Sequence, residues 1–360
     1  MKAVQTMTDL EKLCSRVTEA ADCAVITDDV NRRYFTAMKS SAGTLVVFPE
    51  KAYFIIDFRY IEKARKTVTA CEVILQDKLY EQINELIEKH GAKTVAVNAD
   101  TCTLSELIAY QQKLNAEVIS DTKLAKIITE IRTVKSQDQI DKIIKAQRIA
   151  ENGFAHMLDF INVGRTEKEI QLELDYYMLK NGAEALSFDT IALSGANTSL
   201  PHGVPSDKKV ESGEFVLMDF GATYDGWHSD MTRTVCVGKP SDKMKSVYET
   251  VLTAQLTALD AVKAGMSGKA LDKIARDIIT DAGYGDNFGH SLGHGVGVEI
   301  HESPYASPSR EDILPANSIV TVEPGIYLEG EFGVRIEDFV VVTENGCINM
   351  TKAPKELICL

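Results

Sequence analysis

Apolar positions recur at helical spacing near the start of the chain, where Leu10, Leu13 and Val17 share one face of residues 8–20. Thr8 or Asp9 is placed to cap that helix. The pattern then changes to short, almost unbroken apolar runs at 24–26, 44–48, 53–56, 73–75 and 94–97. Helical patterns near 60–67, 80–89 and 104–114 lie among them. Strands alternating with helices predict an α/β domain over residues 1–128. Beyond it, residues 136–161 carry Ile140, Ile143, Ile144, Ile149 and Phe154 at helical spacing. Residues 166–181 repeat the pattern behind a Thr166–Glu169 capping box, and further helices are expected at 241–263 and 267–282. Gly-punctuated strands follow at 318–322, 334–342 and 347–350. Residues 129–360 therefore read as an α+β domain, with helices packed on an antiparallel, strongly bent sheet.

Between the two groups of helices lies LMDFGATYDGWHSDMTRT, residues 217–234. An apolar run, 215–218, stops at Asp219 and Gly221; a turn over 222–226 leads to a second strand that passes into Val235 and Val237. Two antiparallel strands joined this way bring Asp219 and Asp230 to one end of a hairpin. Carboxylates held that close resist ionising together unless a cation lies between them. Either alone could be a solvated turn residue.

Composition narrows the function. A chain of 360 residues accommodates two domains with buried cores, and a net charge of −14 argues against nucleic acid and against an anionic membrane surface. The longest apolar runs are far too short to span a bilayer. Lys2 is followed by a polar stretch over 6–11, which does not read as a secretory signal. The seven cysteines are scattered and form no CxxC pair, as expected for reduced thiols in a cytoplasmic protein. The N-terminal domain has no Gly-rich phosphate loop.

Five of the seven histidines fall within 202–301: His202 in LPHG, His228 after Trp227, His290 and His294 in GHSLGHG, and His301 in EIHES. Glycine neighbours let the backbone turn sharply and approach a ligand closely. Glu323 follows an apolar strand in IVTVEPGIY, and Glu337 lies within GVRIEDFVVV. An acid among β-branched residues is costly to bury unless it is paired or binds metal; an exposed edge strand would suit one such acid better than two. Asp219, Asp230, His294, Glu323 and Glu337 together carry about four negative charges. Two divalent cations would neutralise them, and oxygen-rich ligation with one nitrogen suits Mn²⁺, Co²⁺, Zn²⁺ or Fe²⁺.

This set resembles that of the pita-bread metallopeptidases, which include methionine aminopeptidase, aminopeptidase P and prolidase. Their dinuclear site uses two Asp eleven residues apart, a His in GHG, and two Glu, and all five positions are filled here. Creatinase and the metal-free binding proteins on this fold lack the full set. Asn31-Arg32-Arg33-Tyr34-Phe35-Thr36 and Asp57-Phe58-Arg59-Tyr60 resemble segments of the N-terminal domain of prolidase and aminopeptidase P, a domain methionine aminopeptidases lack.

The resemblance implies two divalent metals, manganese first among them, with Asp230 and Glu337 bridging and a metal-bridged hydroxide as nucleophile. It implies that Glu323 shuttles the proton and that His202 and His301 contact the scissile amide. By the same likeness His290 shapes the substrate pocket, and Arg335 orients Glu337. Tyr224, Trp227, Phe288 and Tyr327 are candidates for the proline pocket. The expected partners are proline-containing peptides and a second copy of the chain in a homodimer. A dipeptidase must hold the free carboxylate of its proline, which calls for a cation. Residues 302–309 after His301 contain none before Arg310. The sequence thus points first to a Xaa-Pro aminopeptidase, with Xaa-Pro dipeptidase as the alternative and a non-catalytic peptide-binding protein third.

Overall fold

The computed structural model describes residues 7–360, so Lys2 and the start of the polar stretch lie outside the described residues. The chain divides into two compact units, one up to Arg132 and one from Thr133.

In the first unit six strands form one mixed sheet, in the order Glu72–Leu75, Ala52–Ile56, Thr44–Val47, Cys23–Ile26, Thr94–Val97, Glu117–Ile119. Its central strands read as continuous apolar runs because both faces are covered. Ala24, Ile26, Leu45, Phe54 and Ile56 pack with Leu10, Leu13, Ile127 and Ile131 on one side. Val25, Val46, Tyr53 and Ile55 pack with Ile83, Leu86, Ile87 and Tyr110 on the other. Two helices depart from the sequence reading. Asp29–Thr36, capped by the Asp28 carboxylate, occupies a stretch in which no helix was expected, and Lys123–Thr133 replaces the expected linker.

In the second unit every strand pairing is antiparallel. The long helix Gln137–Phe160 and the helix Glu167–Lys180 begin at capping boxes from Ser136 and Thr166. They cover one core, through Phe154, Leu174 and Met178 against Met218, Phe220 and Met231. Asp242–Ala261 and Gly268–Asp281 cover another, through Val247, Val251, Leu271 and Ile279 against Val320, Ile326, Val334 and Val340. Between the helix pairs the strands break into short sheets, and the breaks place the polar residues. Glu214–Phe220 pairs with Met231–Val237 so that Asp219 faces Thr232. The hairpin tip is Asp225-Gly226, both at positive φ, the conformation a two-residue turn requires. The single strand expected at 334–342 is two, Phe332–Arg335 and Asp338–Thr343, and Glu337 sits at the junction.

The segment beyond residue 350 braces this junction. The buried Arg233 guanidinium donates to the carbonyls of Ala353, Pro354 and Glu337 and pairs with Asp338 at 2.7 Å. Lys355 adds a second cation on Asp338.

The approach of the two aspartates depends on Gly221. A Cβ there would lie 1.9 Å from the Ser229 carbonyl oxygen. Gly221→Ala should therefore cost at least roughly 1–3 kcal/mol, the scale of overpacking. An unchanged thermal midpoint would show that the two strands can separate at no cost.

Candidate metal centre and its cavity

Strand geometry collects five polar side chains at one point. Asp219 comes from the strand Glu214–Phe220, Asp230 from the residue before Met231–Val237, and Glu337 from the strand junction. His294 comes from Gly293–Gly295, and Glu323 from the end of Ile319–Val322. The glycines beside His294 have a steric reason. A Cβ on Gly293 would lie 2.0 Å from the Thr321 carbonyl, and one on Gly295 2.5 Å from that of Ser303. This packing lets the Thr321 hydroxyl accept from the His294 N–H at 2.9 Å and the Glu323 N–H donate to the Leu292 carbonyl at 2.9 Å.

The imidazole of His294 is oriented by its backbone. Nδ1–H donates to the Gly295 carbonyl at 3.0 Å, which leaves the Nε2 lone pair pointing inward. Nε2 lies 3.5 Å from Asp230 Oδ2 and 3.4 Å from Glu323 Oε1. One ligand atom each from Asp230, His294 and Glu337 falls within 4.8 Å of the others. Lone pairs converge here with little to receive them. Burial, then the charges of Asp219 and Glu323, push the Asp230 carboxyl well above its usual range. Burial and then Asp230 do the same to Glu337. Burial pushes Glu323 up to about 8, Arg335 opposing and Asp219 adding. His294 is driven down to about 4 by burial and then by the neighbouring His301. Oδ1 of Asp219 is buried without a hydrogen-bond partner. Convergent carboxylates, an inward imidazole lone pair and an orphaned oxygen are a donor set that fits divalent cations.

Arg335 is the cation already in place. It donates to Asp219 Oδ2 at 2.5 Å, to Thr232 Oγ1 at 3.0 Å and to the Tyr327 hydroxyl at 2.7 Å. Thr232 in turn donates to Glu337 Oε2 at 2.7 Å. The expected contact of Arg335 with Glu337 is thus indirect, through the Thr232 hydroxyl, and its ion pair is with Asp219. The two residues do not share a strand face, because the strand ends at Arg335.

The cluster opens into a cavity of about 490 Å³ whose wall includes His202, His290 and His301. His301 stands edge-on to His294 with ring centres 4.3 Å apart, and burial lowers its pKa first of all. His290 has both nitrogens engaged, Nδ1–H on the Ser291 carbonyl and Nε2 accepting from Tyr327. It is neutral, its pKa pushed down to about 4 by burial and then by Arg335, and so it meets the cavity with its ring.

Residues 141–344 match the model of metallopeptidase family M24, and residues 10–134 match that of the Creatinase/Prolidase N-terminal domain. The chain belongs to metallopeptidase family M24. It is 38% identical to a Xaa-Pro dipeptidase of Pyrococcus furiosus, over 97% of this chain and 99% of that one. A Xaa-Pro dipeptidase structure from Bacillus anthracis superposes with a TM-score of 0.94 at 41% identity, covering 98% of this chain and 99% of that one. An X-Pro aminopeptidase structure from Thermotoga maritima gives 0.89 at 38%, covering 94% and 98%. The second unit accordingly has the pita-bread fold of M24, and the chain is a metallopeptidase dependent on divalent metal.

Within the M24 site some expectations are corrected. Tyr224, Trp227 and Phe288 are not among the residues lining the cavity, and Tyr327 stands behind His290 and Arg335. The apolar wall comes from Phe188, Ile191, Pro201 and Ile300, with Tyr305. Ile191 opens a strand, Ile191–Ser194, that the sequence reading passed over, and Phe188 precedes it; the short apolar run 191–193 before Gly-Ala-Asn was its only signal. Thr232 and Thr321 were also missed, since isolated threonines in strands carry no sequence signal. His228 pairs at 3.3 Å with Thr223 and is not part of the wall.

Raised carboxyl pKa values have a sign. Between its ordinary 4.5 and about 8, Glu323 binds more proton when folded than when unfolded, so metal-free protein loses stability as pH rises through that window. Thermal midpoints of chelated protein should fall from pH 4.5 to pH 8, and added Mn²⁺ should restore them most at pH 8. A flat profile with no response to metal would sink the cation reading.

Proposed function

We propose that this chain is a Xaa-Pro dipeptidase in which Asp219, Asp230, His294, Glu323 and Glu337 hold two divalent cations, manganese first among them. The observation that carries metal-assisted amide hydrolysis is the buried acid–imidazole cluster opening onto a peptide-sized cavity. The choice of dipeptides is supported by relatives of that name at 38% and 41% identity over nearly the whole chain. It takes precedence over the longer-peptide preference expected from residues 302–309. When bound, the cations would supply an acidified water and polarise the scissile carbonyl.

The chain's own groups account for the rest. Glu323, at the edge of the cluster, takes a proton from the attacking water and delivers it to the leaving proline nitrogen. That nitrogen belongs to a tertiary amide and has no hydrogen of its own before cleavage. His301 and His202 are donors placed to hold the carbonyl oxygen as charge develops on it. His290 and the apolar wall accept the ring, and Arg335 holds Asp219 in place through their ion pair. All seven cysteines are free thiols, which suits the reducing cytoplasm, and a homodimer is part of the proposal.

One observation favours a second reading, a Xaa-Pro aminopeptidase. Among the described residues lining the cavity, Arg335 is the sole arginine or lysine, and it is bound to Asp219. A substrate carboxylate finds no unengaged guanidinium in that wall. The ratio of kcat/KM for a Xaa-Pro dipeptide to that for the same peptide extended by two residues decides between them. A preference above roughly tenfold, about 1.4 kcal/mol, for the free dipeptide is expected; the reverse preference would establish the aminopeptidase.

Glu323→Gln should lower kcat by at least roughly 10²-fold, the scale of a lost acid–base group. His301→Ala should also lower kcat but leave the metal content of the purified protein unchanged. Loss of metal from the His301 variant would move that residue into the ligand set.

A further inference from the structure

Among the buried acids that the mechanism leaves unused, one sits behind the loop of His202. Glu167, in the first turn of the helix Glu167–Lys180, is fully buried and faces no substrate. Its two oxygens are saturated with donors from a single loop. Oε1 accepts from the Ser194 N–H at 2.7 Å, the Ser194 hydroxyl at 3.2 Å and the Asn197 amide at 3.0 Å. Oε2 accepts from the same amide at 3.2 Å, the Ser206 N–H at 3.0 Å and the Ser206 hydroxyl at 2.7 Å. Ser194 and Ser206 are the two ends of the loop that carries Pro201 and His202 to the cavity. One carboxylate therefore closes the neck of that loop.

Other bonds reinforce the neck, while the tip receives one long bond, from Arg335 to the Pro201 carbonyl at 3.4 Å. The helix's first N–H groups, of Glu167 and Lys168, donate to the carbonyls of Lys208 and Ser206 at 3.1 Å each. The Thr198 hydroxyl accepts from the Gly333 N–H at 2.8 Å. At the tip, Leu200 and Val204 on either side of His202 are 54% and 83% exposed. Among the described residues none hydrogen-bonds to the His202 imidazole. Its place is set by the loop backbone, and the loop backbone chiefly by its neck, where six of its contacts converge on one carboxylate.

We propose that Glu167 is a positioning residue: by gripping both ends of the loop 194–206 it fixes His202 against the scissile amide. The role requires two acceptor oxygens, because five donor groups make six contacts with them. Glutamine at this position keeps the volume but turns one oxygen into an NH₂ that faces donors.

The catalytic consequence rests on the Xaa-Pro reading above; the geometry of the loop does not. Two measurements separate them. Hydrogen exchange of peptides covering 195–206 should accelerate in Glu167→Gln while those covering 137–160 stay as in the wild type. With a Xaa-Pro dipeptide, Glu167→Gln should lower kcat roughly tenfold with KM within about twofold, and Glu167→Gln combined with His202→Ala should be no slower than His202→Ala alone. Unchanged exchange over 195–206, or losses that multiply in the double variant, would overturn the assignment. If the wild type cleaves no Xaa-Pro peptide, the functional reading fails and the exchange result still decides the loop. Asn197→Ala, which removes the donor shared by both oxygens, should reproduce the exchange and kcat effects at smaller size. It serves where Glu167→Gln does not fold, and wild-type behaviour there would refute the clamp.

Discussion

Repulsion among buried carboxylates is the constraint on which the second unit depends. Asp219, Asp230, Glu323 and Glu337 share one volume, and Arg335 offsets only part of their charge through its pair with Asp219. Buried together, such groups resist ionising; a divalent cation among them would turn that repulsion into attraction between the separate segments that carry them.

Bringing those segments so close requires backbones almost in contact, and side chains are missing where they meet. Gly221 against Ser229, Gly293 against Thr321 and Gly295 against Ser303 are places where any Cβ would collide with a carbonyl. The glycines around the acidic and imidazole ligands are therefore part of the electrostatics: each removes a methyl-sized spacer between charges that have to share a cation.

Much of this was legible in the sequence. The helices behind capping boxes, at Ser136 and Thr166, are fixed by local hydrogen bonds, and local patterns reveal them. The central strands of the first unit were visible as apolar runs because both faces are buried. Helix Asp29–Thr36 was not, since its buried residues include the polar Asn31, whose partner Arg132 is distant in sequence, and the charged Arg32, which breaks the apolar pattern. Glu323 and Glu337 stood out because acids among β-branched residues are anomalous, the two aspartates because a hairpin brings them together, and His294 because glycines flank it. The partner of Arg335 was misread because spacing along one strand cannot show that a strand ends and that two others supply Thr232 and Asp219. The apolar wall was missed for a related reason: Phe188, Ile191 and Ile300 look like any core residue until the fold leaves them beside a cavity.

Arg233 links the order of synthesis to the competence of the centre. It lies in the strand that follows Asp230, yet its guanidinium is satisfied by Asp338 and by the carbonyls of Glu337, Ala353 and Pro354. A chain emerging from the ribosome N-terminus first carries Asp219, Asp230 and Arg233 long before those partners exist. Until they arrive the guanidinium has none of these partners, so the hairpin that carries the two aspartates completes its packing only once residues 337–354 are present.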